Sequence, residues 1–194
     1  MNKWRLPTSL VVGEVAFEIR TDYRVILGIY HYLNDPEYTD EERWAIALRG
    51  FYKNIEEMPP ELYEEAAEKM LDFLRCGATP SEEDREKPQL MDWDQDADII
   101  IPSVNKVAGE DVRGLKHLHW WTFFSYYLEI TEGTFSTVIC IRNKMANGKK
   151  LDDYEKDFCR EHPSLVFLKR HKTEEELRKE AEDKAALAAL LGER

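Results

Sequence analysis

The chain of 194 residues is long enough for one ample hydrophobic core or a small two-lobed unit. With 34% charged and 43% hydrophobic residues it reads as soluble and globular, and its net charge of −12 argues against DNA or RNA as the main partner, since a nucleic-acid binder needs a basic surface. The first ten residues lack the apolar run of a secretory signal, and no later run is long enough to span a bilayer.

The acidity is uneven. Residues 35–111 hold 22 acids and 8 bases, and both flanks are near neutral. Solubility is the simplest reading of such a segment. Cys76, Cys140 and Cys159 are odd in number and lack CxxC spacing. That suits reduced thiols in a cytosol better than a disulfide framework.

In chain order, Ser9 to Ile19 predicts a β-hairpin. β-branched residues flank Gly13-Glu14, and glycine first in a two-residue turn suits type II′. Asp22 can cap a helix carrying Tyr23, Ile26, Leu27, Tyr30 and Leu33 on one face, which Asn34-Asp35-Pro36 ends. Thr39-Asp-Glu-Glu42 fits a capping box. Behind it Trp44, Leu48, Phe51 and Ile55 predict a core-facing helix running to Pro59-Pro60. Pro60 can open the next helix, with Leu62, Ala66, Met70 and Phe73 as its stripe and Gly77 as its C′ residue.

Residues 1–77 thus read as a hairpin plus three helices, and 78–91 as an acidic linker with almost nothing to bury. Residues 92–170 form a second helical region. It opens with Trp93, Ala97, Ile100, Val104 and Val107 at helical spacing, with Pro102 expected to kink or split that helix.

The stretch from His117 to Leu128, HLHWWTFFSYYL, carries six large aromatics in doublets three residues apart. Doublets do not fit the alternation of a strand. On a helix they cover a broad arc, which buries on more than one side. A central helix is therefore expected over Leu115–Ile130. Trp120 and Trp121 lie about 100° apart on it, so they should do different jobs, with at least one wholly in the core. Thr134–Ala146 is read as a helix despite its β-branched residues. A short helix through Leu151, Tyr154 and Phe158 ends at His162-Pro163. Thr173-Glu-Glu-Glu176 opens an Ala-rich C-terminal helix over 171–194 that has little to dock with. The fold class is mainly α: a bundle-like helical domain with a small N-terminal hairpin.

Candidate chemistry is sparse. Asp92, Asp94, Asp96 and Asp98 resemble the start of a calcium loop, but the sixth and twelfth positions are Ala97 and Ser103 instead of Gly and Glu. Acids complementing a helix N-terminus explain them better. His117 and His119, two apart on the expected helix, would point about 200° from each other and could not share one ion. A metal-dependent enzyme using His119 with Asp96 or Asp98 is the weakest reading. Arg142, Lys144, Lys149 and Lys150 could bind phosphate or an acidic partner. Asp152 and Asp153 answer them at once, so a solvated charged face is preferred. No P-loop, GxSxG or Cys/His pairing stands out.

One pattern points further. Asp96-Ala-Asp98-Ile-Ile-Ile101, then Leu118-His119-Trp120-Trp121-Thr122-Phe123, then Ile141-Arg142 with lysines following, resembles the bacteriophage "gene product fifteen" family of tailed phages and prophages. The hairpin, the following helices and the Pro-Pro near position 59 match as well. The similarity runs over roughly residues 7–168, and the extension from His171 has no counterpart. The resemblance implies a gene near that of the tape measure and a tail-assembly chaperone in the host bacterial cytoplasm. It implies no catalytic residues and no cofactor. Tail proteins, above all the tape measure, are the expected partners, with self-association possible in principle. A structural component retained in the virion is the rival role. The residues that carry the pattern, Asp96, Asp98, His119, Trp120, Trp121, Arg142 and Lys144, are the candidate partner-binding positions.

Overall fold

The hairpin is where the chain first commits to a shape. In the computed structural model, which describes residues 4–78 and 87–169, β1 (Ser9–Val12) pairs antiparallel with β2 (Val15–Glu18) in the register Leu10 to Phe17 and Val12 to Val15. Gly13 has φ +60°, and Cys76 is the sole non-glycine with positive φ among the described residues. A positive angle at the first turn position but not at Glu14 is the type II′ turn expected. Leu10, Val12 and Phe17 face inward. The Gly13 amide donates to Glu65 Oε2 at 3.0 Å, fixing the hairpin tip to a helix far along the chain.

Three helices follow: α1 (Tyr23–Asn34), α2 (Asp40–Phe51) and α3 (Tyr63–Leu74). Asp22 caps α1 by accepting from the Arg24 amide, and the Thr39–Glu42 capping box closes on both sides. α2 stops four residues before the expected Ile55. Tyr52 turns extended and bridges Ile19, while the Arg20 guanidinium takes the carbonyls of Arg49, Gly50 and Tyr52. Ile55 still reaches the core, but from a 3₁₀ turn at Ile55–Glu57. At the end of α3 the left-handed C′ residue is Cys76, one place before the Gly77 expected. The Gly77 amide reaches Asp72 O and the Cys76 amide Phe73 O, a Schellman pattern.

The second region contributes α4 (Ala97–Ala108), α5 (Trp120–Leu128), α6 (Thr134–Ala146), α7 (Asp153–Glu161) and the single turn α8 (Pro163–Val166). α4 runs unbroken with Pro102 inside it. The aromatic helix is shorter than its periodicity suggests. It begins at Trp120 instead of Leu115, because residues 118–120 are used as extended chain against residues 21–23. Tyr23 N donates to Leu118 O at 2.9 Å and Trp120 N to Thr21 O at 2.7 Å.

α1 packs on α2 and on α5, α2 on α3, and α4 on both α5 and α6. One apolar cluster runs from Leu10 through Phe73 to Val138, joining the hairpin and first three helices to the second region. The fold is mainly α with eight α-helices among the described residues and a two-stranded hairpin. No helix of the described residues is long and apolar enough to cross a membrane. The C-terminal helix expected from Thr173 and most of the 78–91 linker lie outside the described residues.

Candidate functional site

The pattern residues converge on two interior structures. In the first, Asp96 (1% exposed) and Arg142 (5%) form a bidentate pair. Arg142 Nη1 donates to Asp96 Oδ2 at 2.7 Å and Nη2 to Oδ1 at 2.8 Å. The remaining N–H groups go to Leu90 O, Leu165 O and Val166 O, so all five guanidinium donors are used. Asp96 Oδ2 also accepts from the Asp92 amide. One residue thus ties together the chain entering α4, helix α6 and the end of α8. This corrects two expectations. Arg142 is no part of a solvated basic face, and Asp96 serves a buried ion pair where a helix-dipole role was expected.

In the second, His119 is the N-cap of α5. Its Nδ1 accepts from the Trp121 amide at 3.1 Å, which leaves Nε2–H to donate to Pro7 O at 3.0 Å. Burial holds its pKa below the ordinary value of 6.5. Trp120 is wholly buried and donates from Nε1 to Leu74 O. Trp121 is half-buried and donates to Phe73 O. The two indoles therefore satisfy successive carbonyls at the end of α3 while their rings take different neighbours: Trp93 and Tyr30 around Trp120, Phe73 beside Trp121.

His117 and His119 both precede the first residue of α5, so the helical angle expected between them does not apply. Both ring nitrogens of His119 are engaged, and His117 Nε2 meets Thr21 Oγ1 at 3.1 Å. Among the described residues no group of three or more His, Cys, Asp or Glu could hold an ion. Asp98 is exposed in the first turn of α4. Lys144 is held by Glu155 at 2.5 Å and, more loosely, by Asp152 at 3.7 Å; the hydrogen bond to Glu155 raises its pKa. The structure brings Asp96 to Arg142 and the histidine–tryptophan group to α3, and leaves Asp98 and Lys144 out of both. The Cys76 thiol is pushed up to about 12 by burial, far from a reactive thiolate.

The surface feature that sequence reasoning missed lies elsewhere. Between α2, α3 and the 3₁₀ turn at Ile55–Glu57 runs an open groove of about 790 Å³. Trp44, Leu48, Tyr63, Ala67 and Leu71 supply its apolar wall. Glu41, Glu56, Glu64 and Glu68 stand around it against a single cation, Arg49. Periodicity puts Trp44 on the core stripe of α2, yet it is 37% exposed. The missed signal is on α3. Beside the buried stripe Ala66, Met70 and Phe73 it carries a second one, Tyr63, Ala67 and Leu71, at spacing of four.

Comparison with known proteins agrees with the pattern. The family described as Bacteriophage Gp15 protein matches residues 4–167, and the chain belongs to that family. Neither the curated proteins nor the solved structures contain a match.

Proposed function

We propose that this phage protein is a non-catalytic tail-assembly chaperone acting on the tape-measure protein. The observation that carries the reading is family membership across residues 4–167, together with what the resemblance implies about a gene beside that of the tape measure. A tape measure is a long helical chain that must be kept from aggregating before the tail tube closes over it. Helical proteins can shelter such chains by accepting an apolar helix face into a groove. An acidic surface keeps the loaded complex soluble.

Co-expression with the neighbouring tape-measure gene is the direct trial. The tape measure should become more soluble when this protein is present, and the two should co-purify. Purified virions should lack the protein by mass spectrometry, whereas a structural tail component would remain in them. A tape measure equally soluble alone, with tails of normal length built by phage lacking this gene, overturns the chaperone reading.

A further inference from the structure

We infer that the groove between α2 and α3 is the docking site for one amphipathic helix of a partner protein, apolar along one stripe and flanked by lysine or arginine. The inference rests on the chaperone reading only in assigning that helix to a tail protein; the groove and its chemistry stand on their own geometry.

Both helices already bury a stripe in the core: Ala47, Leu48 and Phe51 on α2, of which Leu48 also borders the groove, and Ala66, Met70, Phe73 and Leu74 on α3. Trp44 and Tyr63 are left outside that core, exposed on either side of the groove. Tyr63, Ala67 and Leu71 repeat every four residues, so they line up nearly parallel to the α3 axis over about 12 Å, two helical turns. Helix-in-groove recognition reads anchors at that repeat. The small side chain of Ala67, between Tyr63 and Leu71, leaves room for a partner's anchor.

Charge selects the occupant. The carboxylates of Glu41, Glu56, Glu64 and Glu68 have no hydrogen-bond or ion-pair partner among the described residues. They carry the acidic character of the 35–111 segment to the edge of the apolar strip. A second copy of this chain would bring a net −12 to that edge. The segment from His171 to Arg194 also holds more acids than bases. A basic amphipathic helix answers both the strip and its rim.

The test uses the full-length chain and two labelled helical peptides of about 20 residues, long enough to hold a helix. Both carry leucines at i, i+3, i+4 and i+7; one has lysines flanking the stripe and the other glutamates. By fluorescence anisotropy at low salt the lysine peptide should bind at least about tenfold tighter, with the gap closing as salt rises. The double variant E64K/E68K, at exposed positions, should abolish that preference. Trp44→Ala should weaken the lysine peptide at least about fivefold, as loss of an aromatic anchor does.

Equal binding of the two peptides, no binding of either, or an unchanged preference in E64K/E68K overturns the inference. Binding of the lysine peptide only after Leu187→Glu and Leu190→Glu are introduced overturns it in favour of the C-terminal segment as occupant. A dimer in sedimentation that E64K/E68K converts to monomer overturns it in favour of a second copy. The two readings fail separately. A groove that selects the lysine peptide while the tape measure gains nothing in co-expression keeps the site and loses the chaperone, and the reverse result does the opposite.

Discussion

Arg142 ties three separate segments of the fold to one buried side chain. It is buried beside Asp96 with every donor used, three of them on carbonyls from two distant segments. A buried pair of this kind adds little net stability over an apolar replacement, but removing one member strands a charge. Arg142→Ala should therefore cost about 3–5 kcal/mol in urea unfolding. Arg142→Lys should recover little of it, because an ammonium has three donors and no planar fork. The pair Asp96→Asn with Arg142→Met should cost less than Arg142→Ala alone, since no charge is stranded. Equal losses in all three variants would reject this account.

His119 gives a pH signature of definite sign. Burial depresses its folded pKa, so below the ordinary 6.5 the unfolded chain binds the proton more readily than the folded one. Its contribution is complete above 6.5 and is lost as pH falls from there through the depressed folded value. His31 runs the other way. Its hydrogen bond to Asp94 raises its pKa, giving stability below 6.5 that is lost as pH rises through the folded value, but the pair is exposed and the effect small. His119→Asn keeps a capping acceptor without a titrating ring. The stability lost between about pH 7.5 and about pH 5.5 should be smaller in this variant than in the parent. An unchanged loss would clear His119 of the effect.

At the level of elements, α4 is the one most at odds with its own sequence. Pro102 sits in its interior, where proline removes a donor and disfavours helix by about 3 kcal/mol relative to alanine. It is exposed, so no packing is forfeited on replacement. Pro102→Ala should raise stability by about 1 kcal/mol or more, a shift of about 2–4 °C per kcal/mol for a chain of this size. A lower melting temperature would mean that the proline sets a bend on which α4 packing depends.

The same elements show what could be read beforehand. The hairpin turn, the capping box at Thr39 and the end of α1 at Asn34-Asp35-Pro36 were legible because each is a local rule that neighbouring residues satisfy. The early stop of α2 and the late start of α5 were not. Both are imposed by backbone pairing with residues 19–23, far away in sequence. Arg142 looked like a surface base for the same reason, since its partner lies 46 positions earlier. The groove was hidden because Trp44 fits a core stripe as well by periodicity as it fits a surface one.

Across the whole molecule, the question is whether the two helical regions unfold separately. Three features bind them. The apolar cluster is continuous through both, and the indoles of Trp120 and Trp121 supply hydrogen bonds to Leu74 and Phe73 at the end of α3. Tyr23 of α1 stacks on Phe123 of α5 with ring centroids 4.4 Å apart. Neither region can lose its partner without exposing large aromatic surface. Urea unfolding should therefore show one transition, with tryptophan fluorescence and far-UV circular dichroism sharing a midpoint. Trp120→Ala removes the largest wholly buried side chain and a hydrogen bond to Leu74, and should cost about 3–5 kcal/mol. Because the core is shared, that loss should move both signals together. If the variant separates them, with helix content surviving at urea concentrations where fluorescence has already changed, the first three helices stand as a unit of their own. The contacts at the end of α3 would then be a docking seam between two units.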